Sequence, residues 1–244
     1  MFSPVLIHVP HASLYIPEEY LPSFTAGVLP DELMRMTDLY CDQLFQCDHE
    51  MITPKVSRLL CDVERFRNDV DEVMASVGMG AVYTSCSDLS PLRKVSERER
   101  EDVLKKYYDP HHSRFTEEVQ KRLDTYGRCL IVDGHSFPAK PLPYELDQNP
   151  VRPDICIGTD PFHTPNDVKE QLLEYFERLG YNTKLNEPFA GSIVPMKYYG
   201  TDQRVSSVMI EINRGLYTNT DGRPNSGFGE IRRAIKELLM RKYI

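Results

Sequence analysis

Residues 128–136, Arg-Cys-Leu-Ile-Val-Asp-Gly-His-Ser, decide the fold. Cys129 to Val132 are four apolar residues in a row, and they end in a polar Asp-Gly-His-Ser turn. A short, continuous apolar run of this kind is a strand buried on both faces. The sequence upstream supplies a second one at 4–9 (PVLIHV), closed by Pro10. Between them, Pro30-Asp31 opens a helix with Leu33, Met36, Tyr40 and Leu44 on one face. An extended stretch is expected at 51–60, and the glycine-bearing segment 77–84 reads as a loop leading into a strand. Ser96 is an N-cap with Glu99 three residues on, the pattern of a capping box. The helix it starts runs through Lys105 to Asp109, where Pro110 is expected to end or kink it and open another that stops before Gly127.

Downstream, the proline-rich stretch 138–153 reads as a long functional loop. A helix at 166–179, stopped by Gly180, is followed by strands at 181–185 and 205–212 (VSSVMIEI) and a last helix over 229–243. Strands alternating with helices predict an α/β fold. We expect three layers, α/β/α, around a largely parallel or mixed sheet, in one domain over 1–244.

Composition narrows the function. Of 244 residues, 41% are hydrophobic and 27% charged, as in ordinary globular proteins. A net charge of -8 speaks against a nucleic-acid partner, because phosphates call for a basic face. It also repels small anions at long range, so an anionic substrate would need arginines inside the site. The opening residues carry no basic segment, and their apolar run is too short for a secretion signal. Nothing approaches the roughly 20 apolar residues of a membrane span. The six cysteines include no C-x-x-C pair, which predicts buried, reduced thiols in a cytoplasmic protein rather than a cysteine metal site.

Chemistry concentrates beyond the strand ends, where open α/β sheets bind ligands. His11 follows the first strand and His135 the strongest one; each is either an exposed or structurally bonded loop histidine or a neutral imidazole placed to bind zinc. Glu211 interrupts a core strand in Val208-Met209-Ile210-Glu211-Ile212. A buried carboxylate costs several kcal/mol unless paired or protonated. It is therefore either half of an ion pair, for instance with Arg214, or a general base with a raised pKa. Arg58 and Arg65, around Asp62-Val63-Glu64, either grip a carboxylate with their planar forks or belong to a surface of paired charges. No Gly-x-Ser-x-Gly elbow supports a serine hydrolase.

Taken in order, these segments resemble the N-formylglutamate amidohydrolase family, which is related to zinc carboxypeptidases and aspartoacylases. Pro10-His11-Ala12-Ser13 with Ile16-Pro17 is similar to the family's Pro-His-Ser-Gly and Ile-Pro pattern, and Thr37-Asp38 to its Thr-Asp motif. Ser57-Arg58 and Asp62-Val63-Glu64-Arg65 resemble Ser-Arg and Asp-Leu-Asn-Arg. Tyr107 to His112, Asp133-Gly134-His135-Ser136, Gly158-Thr159, the segment 186–192 and Glu211 have counterparts too. The resemblance implies a zinc carboxypeptidase-like fold and a Zn2+ ion held by His11, His135 and, as third ligand, Asp38, since Leu14 stands where a carboxypeptidase has its ligand glutamate. Asp133 would orient a ligand histidine, Glu211 would act as base and acid, and His112 would polarise the carbonyl. Arg65, helped by Arg58, would bind a substrate carboxylate, with Asn186 and Ser192 also lining the substrate. The implied substrate is a small anionic N-acyl amino acid, foremost N-formyl-L-glutamate. The alternatives are a carboxypeptidase- or aspartoacylase-like hydrolase of another amide, and a binding protein that kept the fold. Glu64 replaces the pattern's Asn, which sets a negative charge beside Arg65.

Overall fold

In the computed structural model, which describes residues 3–241, six strands form one mixed sheet. They are β1 (Val5–His8), β2 (Met51–Ile52), β3 (Cys129–Phe137), β4 (Ile155–Gly158), β5 (Thr183–Leu185) and β6 (Val205–Asn213). The strand order is β2-β1-β3-β6-β4-β5, and every neighbouring pair is parallel except β4 with β6. The helices are α1 (Leu29–Met36), α2 (Cys41–Leu44), α3 (Glu97–Val103), α4 (Asp109–Tyr126), α5 (Asn166–Arg178) and α6 (Phe228–Leu239).

Successive side chains of a strand point to opposite faces, and both faces here are covered. Leu6, Ile131 and Val205 pack against Phe115, Val119 and Leu123 of α4. Val5, Ile7, Val132, Val208 and Ile210 face the other way, against Leu44 of α2, Leu172 and Phe176 of α5 and Ile235 of α6. This is the expected three-layer arrangement. Burying each large apolar side chain contributes about 1.5–3 kcal/mol. A further cluster, including Ile16, Met36, Leu59, Leu60, Tyr83 and Tyr108, lies under the irregular chain between β2 and α3.

Several local expectations change. The helix opening at Pro30 does not continue to Leu44; it stops at Met36, and Thr37 is extended (φ -78°, ψ 137°). Tyr40 then takes a left-handed conformation (φ 65°) before α2. The expected stretch at 51–60 is a strand only at Met51 and Ile52, and 77–84 leads into turns with an isolated bridge between Ser85 and Pro91. Ser96 caps α3 as expected, its hydroxyl accepting from the Glu99 amide at 3.2 Å. Pro110 does not end the helical run. A π-helical turn, Leu104–Tyr108, joins α3 to α4, which holds Pro110 in its first turn and stops before Gly127 as expected. β3 continues through the polar Asp-Gly-His-Ser segment to Phe137. β4 is a strand that sequence patterning missed, because it lies directly after the proline-rich loop. The last helix begins near its expected start, and the expected end at Tyr243 lies outside the described residues. None of the six cysteines is in a disulfide. Among the described residues no helix is long and apolar enough to cross a membrane.

Candidate active site

Strand parity and register assemble the polar core of the site. In β1, His8 shares a face with Leu6; in β3, Asp133 and His135 share it with Ile131; in β6, Glu211 shares it with Val205. The registers pair His8 with Asp133 and His135 with Glu211. Four ionisable residues thus stand at the carboxyl ends of adjacent parallel strands, on the α4 side. The break after α1 adds Asp38, and the loop after β1 adds His11.

Asp38 lies between the two histidines. Its Oδ2 is 3.1 Å from His135 Nδ1 and 3.7 Å from His11 Nδ1, and it accepts from the Ser136 amide at 3.2 Å. The far nitrogens are held by other carboxylates. His11 Nε2 is 2.8 Å from Asp62 Oδ1; His135 Nε2 is 3.1 Å from Glu64 Oε1 and 3.2 Å from Asp133 Oδ1. All of these groups are buried except Glu64, whose side chain is 17% exposed. Burial on its own would depress both imidazoles. The Glu64 and Asp133 carboxylates outweigh it at His135 and hold it well above its ordinary value. Asp62 and Asp38 raise His11 against both burial and Arg58. Burial likewise opposes ionisation of Asp38, yet its contacts with the two histidines hold it well below the usual carboxylate range.

Glu211 is different. Burial pushes its carboxyl up to about 8, with Asp38 and Glu64 adding to the effect and His135 opposing it. Its Oε2 has no hydrogen-bond partner among the described residues. The ion pair with Arg214 considered from the sequence does not form, because Arg214 donates instead to backbone carbonyls at the end of α1.

Three donor sets could hold a cation. One, with donor atoms all within 4.8 Å of one another, is His11, Glu64 and His135, where Glu64 meets both rings on the Nε2 side. Against it, His11 Nε2 is already engaged by Asp62 at 2.8 Å, whereas His11 Nδ1 is buried with no hydrogen-bond partner. A ligand histidine binds metal through one nitrogen and donates the other N–H to a carboxylate. Only the Nδ1 side satisfies that rule for both rings, with Asp62 receiving from His11 and Asp133 from His135. We therefore favour His11, Asp38 and His135. A third grouping, His8 with Glu64 and Asp133, is disfavoured because both nitrogens of His8 are occupied: Nδ1 by Asp133 at 2.9 Å and Nε2 by His111 at 3.0 Å.

These residues face a cavity of about 470 Å³. Arg58 and Arg65 line it, as the sequence anticipates, and both are tied to Asp62: Arg58 Nη2 at 2.9 Å and Arg65 Nε at 3.7 Å from Oδ2. The Tyr83 hydroxyl donates to the same oxygen at 2.7 Å. Glu64 turns its oxygens toward the two imidazoles, which absorbs the negative charge expected to disturb Arg65. Ser192 lines the cavity too, with its hydroxyl paired to that of Ser207 on β6.

Two expected site residues take other roles. Asn186 is absent from the cavity wall; its left-handed conformation (φ 57°) and its amide, which bonds the Thr159 amide and hydroxyl at 2.9 Å each, hold a turn. His112 lines the cavity but donates its Nε2–H to the Val63 carbonyl at 2.8 Å. Burial pushes its imidazole down to about 4, so near neutral pH it keeps no N–H for a developing oxyanion. Sequence reasoning missed His8, which is fully buried, stacks on Phe115 at 4.7 Å and links Asp133 to His111. The signal was present: an ionisable residue inside the apolar run 4–9 is as anomalous as Glu211.

Comparison with known proteins gives the chain its family. The family profile described as N-formylglutamate amidohydrolase matches residues 3–218. An N-formylglutamate deformylase of Pseudomonas putida is 25% identical over 226 residues, covering 88% of this chain and 81% of that protein. One from Pseudomonas aeruginosa is 24% identical over 225 residues, covering 88% and 82%. Among solved structures, an N-formylglutamate amidohydrolase from Ralstonia eutropha superposes with a TM-score of 0.85 at 22% identity, covering 98% of this chain and 92% of that one. A gene product from Agrobacterium tumefaciens gives 0.69 at 20% identity, covering 97% and 90%. With the profile spanning most of its length, the chain belongs to the N-formylglutamate amidohydrolase family.

Proposed function

We propose that the protein is a metal-dependent amidohydrolase that cleaves a small N-acyl acidic amino acid, with N-formyl-L-glutamate, yielding formate and glutamate, as the leading substrate. One observation carries this reading: His11 Nδ1 and His135 Nδ1 flank Asp38, and Glu211, whose Oε2 has no partner among the described residues, lines the same arginine-lined cavity. The deformylase relatives support the choice of substrate.

A divalent cation such as zinc, held by His11, Asp38 and His135, would supply Lewis acidity toward the amide carbonyl and the attacking water. Asp62 and Asp133 fix the tautomers and orientation of the two histidines. Arg58 and Arg65 bind a substrate carboxylate and set the amide in place. Glu211 takes the proton as water adds to the acyl carbon. When the C–N bond breaks, the same proton passes to the leaving nitrogen, so the products are the free amino acid and the carboxylic acid. Burial pushes this carboxyl up to about 8 and a bound cation would draw it back down, which suits it to both transfers.

The test is to purify the protein without chelators, measure bound metals by elemental mass spectrometry and assay N-formyl-L-glutamate and related N-acyl amino acids with and without zinc. About one metal per chain and metal-dependent release of free amino acid are expected. Metal without turnover of any acidic N-acyl substrate would refute the substrate class. The absence of both, after zinc is restored, would refute the hydrolase.

A further inference from the structure

Arg214 lies just beyond β6, three residues after Glu211, and lines the same cavity. It is 8% exposed. Its Nη1 donates to the carbonyls of Arg35 at 2.8 Å and Thr37 at 3.0 Å, at the C-terminal end of α1. Those bonds fix the guanidinium without neutralising it, because no carboxylate pairs with it among the described residues. Its Nε is buried with no hydrogen-bond partner. A buried, unpaired cation is costly, and the negative end of a helix dipole offsets only part of that cost. At a cavity wall, the missing partner is an anion brought by the ligand.

The other two arginines leave room for this division of labour. Arg58 and Arg65 share the single carboxylate of Asp62, so together they keep about one unit of positive charge for a ligand. Arg214 keeps its own. Tyr144, from the proline-rich loop, also lines the cavity, and its phenol lies within the electrostatic reach of Arg58, Arg65 and Arg214. Burial holds that hydroxyl protonated, so it can donate to an anion in the cavity it lines.

We propose that Arg214 and the Tyr144 hydroxyl form the subsite for the side-chain carboxylate of the substrate, while Arg58 and Arg65 take the α-carboxylate. The inference rests on the hydrolase reading, and it makes the cavity a selector for amino acids with acidic side chains.

Kinetics on N-formyl-L-glutamate and its neutral isostere N-formyl-L-glutamine test it, using the wild type, Arg214→Gln, Arg214→Lys and Tyr144→Phe. The quantity read is the ratio of kcat/KM for the two substrates, since damage to the α1 anchor alone would lower both equally. The wild-type preference for glutamate should collapse by about 100-fold in Arg214→Gln, the worth of a charge-assisted bond, mostly through KM. Arg214→Lys should recover part of it, and Tyr144→Phe should lose about 10-fold. Equal losses on both substrates, or an unchanged ratio, would overturn the proposal. Should the Arg214 variants fail to fold, inhibition or binding of the wild type by glutarate and by pentanoate decides: at least tenfold tighter glutarate is expected, and equal affinity overturns it. A wild type that hydrolyses neither formyl compound, yet prefers glutarate, would refute N-formyl-L-glutamate as the substrate and leave the dicarboxylate subsite standing.

Discussion

Glu211 shows what dry surroundings do to one carboxyl. Burial destabilises its carboxylate, and no neighbour compensates with a hydrogen bond to Oε2. Glu211→Gln keeps the shape and removes the proton acceptor. It should retain bound metal and lose at least about 100-fold in kcat, the usual worth of a positioned acid–base group. Metal content and turnover measured on one preparation check this, and activity within a few-fold of wild type would remove Glu211 from the mechanism. The pH profile carries the same signature. Glu211 must be ionised to accept a proton, so kcat/KM should rise with pH along an acid limb. Its apparent pKa should lie between the ordinary 4.5 and about 8, because a bound cation would pull the group down from its metal-free position. The limb attributed to Glu211 should be missing in the glutamine variant.

At the scale of elements, the β3–β6 pair and the break between α1 and α2 set the geometry. The pair places His135 opposite Glu211, and the break brings Asp38 up against His135. What holds α2 in place is visible at Gly134, on the opposite face of β3 from His135. A Cβ there would lie 2.8 Å from the Phe45 ring, just past the end of α2. Gly134→Ala should therefore force Phe45 and α2 outward and destabilise the protein by about 1–3 kcal/mol. A lower melting temperature, with weaker metal binding as α2 shifts, is the expected result; an unchanged melt would show that Phe45 can move freely. α4 acts on the other face. Its His111, pushed down to about 2 chiefly by burial and so neutral, stands beside His8, which holds Asp133 and through it His135.

For the whole molecule, charge runs in opposite senses outside and inside. The chain carries -8 overall, yet three arginines line its cavity, so long-range repulsion of an anionic substrate would give way to local capture. The buried carboxylates Asp38, Asp62, Asp133 and Glu211 crowd around two histidines, an arrangement that a cation would stabilise. Removing metal with a chelator should then lower stability by about 2.7 kcal/mol relative to saturation at one hundred times the dissociation constant. For a chain of this size that is a melting shift of roughly 5–10 °C, reversed by zinc but not by magnesium. Identical melts with and without chelator would speak against a resident metal.

The sequence by itself determined the fold class and much of the site. Apolar runs at 4–9, 128–133 and 205–212 are strands because short, continuously apolar segments must be covered on both faces. His11, His135 and Glu211 stood out because ionisable residues at or inside such strands are expensive without a purpose. Arg58 and Arg65 were legible as cavity residues through the ordered motifs, though isolated charge runs would not have shown it. What only the tertiary structure decided depends on contacts between distant segments. His8 became part of the site through register with Asp133 and packing on α4. Asn186 and His112 proved to be held by Thr159 and Val63, because short polar side chains and imidazoles bond whichever backbone comes within reach. Arg214, read from the sequence as a possible partner for Glu211, was instead turned onto the carbonyls of α1, about 180 residues away along the chain. Periodicity records which face of an element is buried; which polar groups then meet is set by how the elements cross.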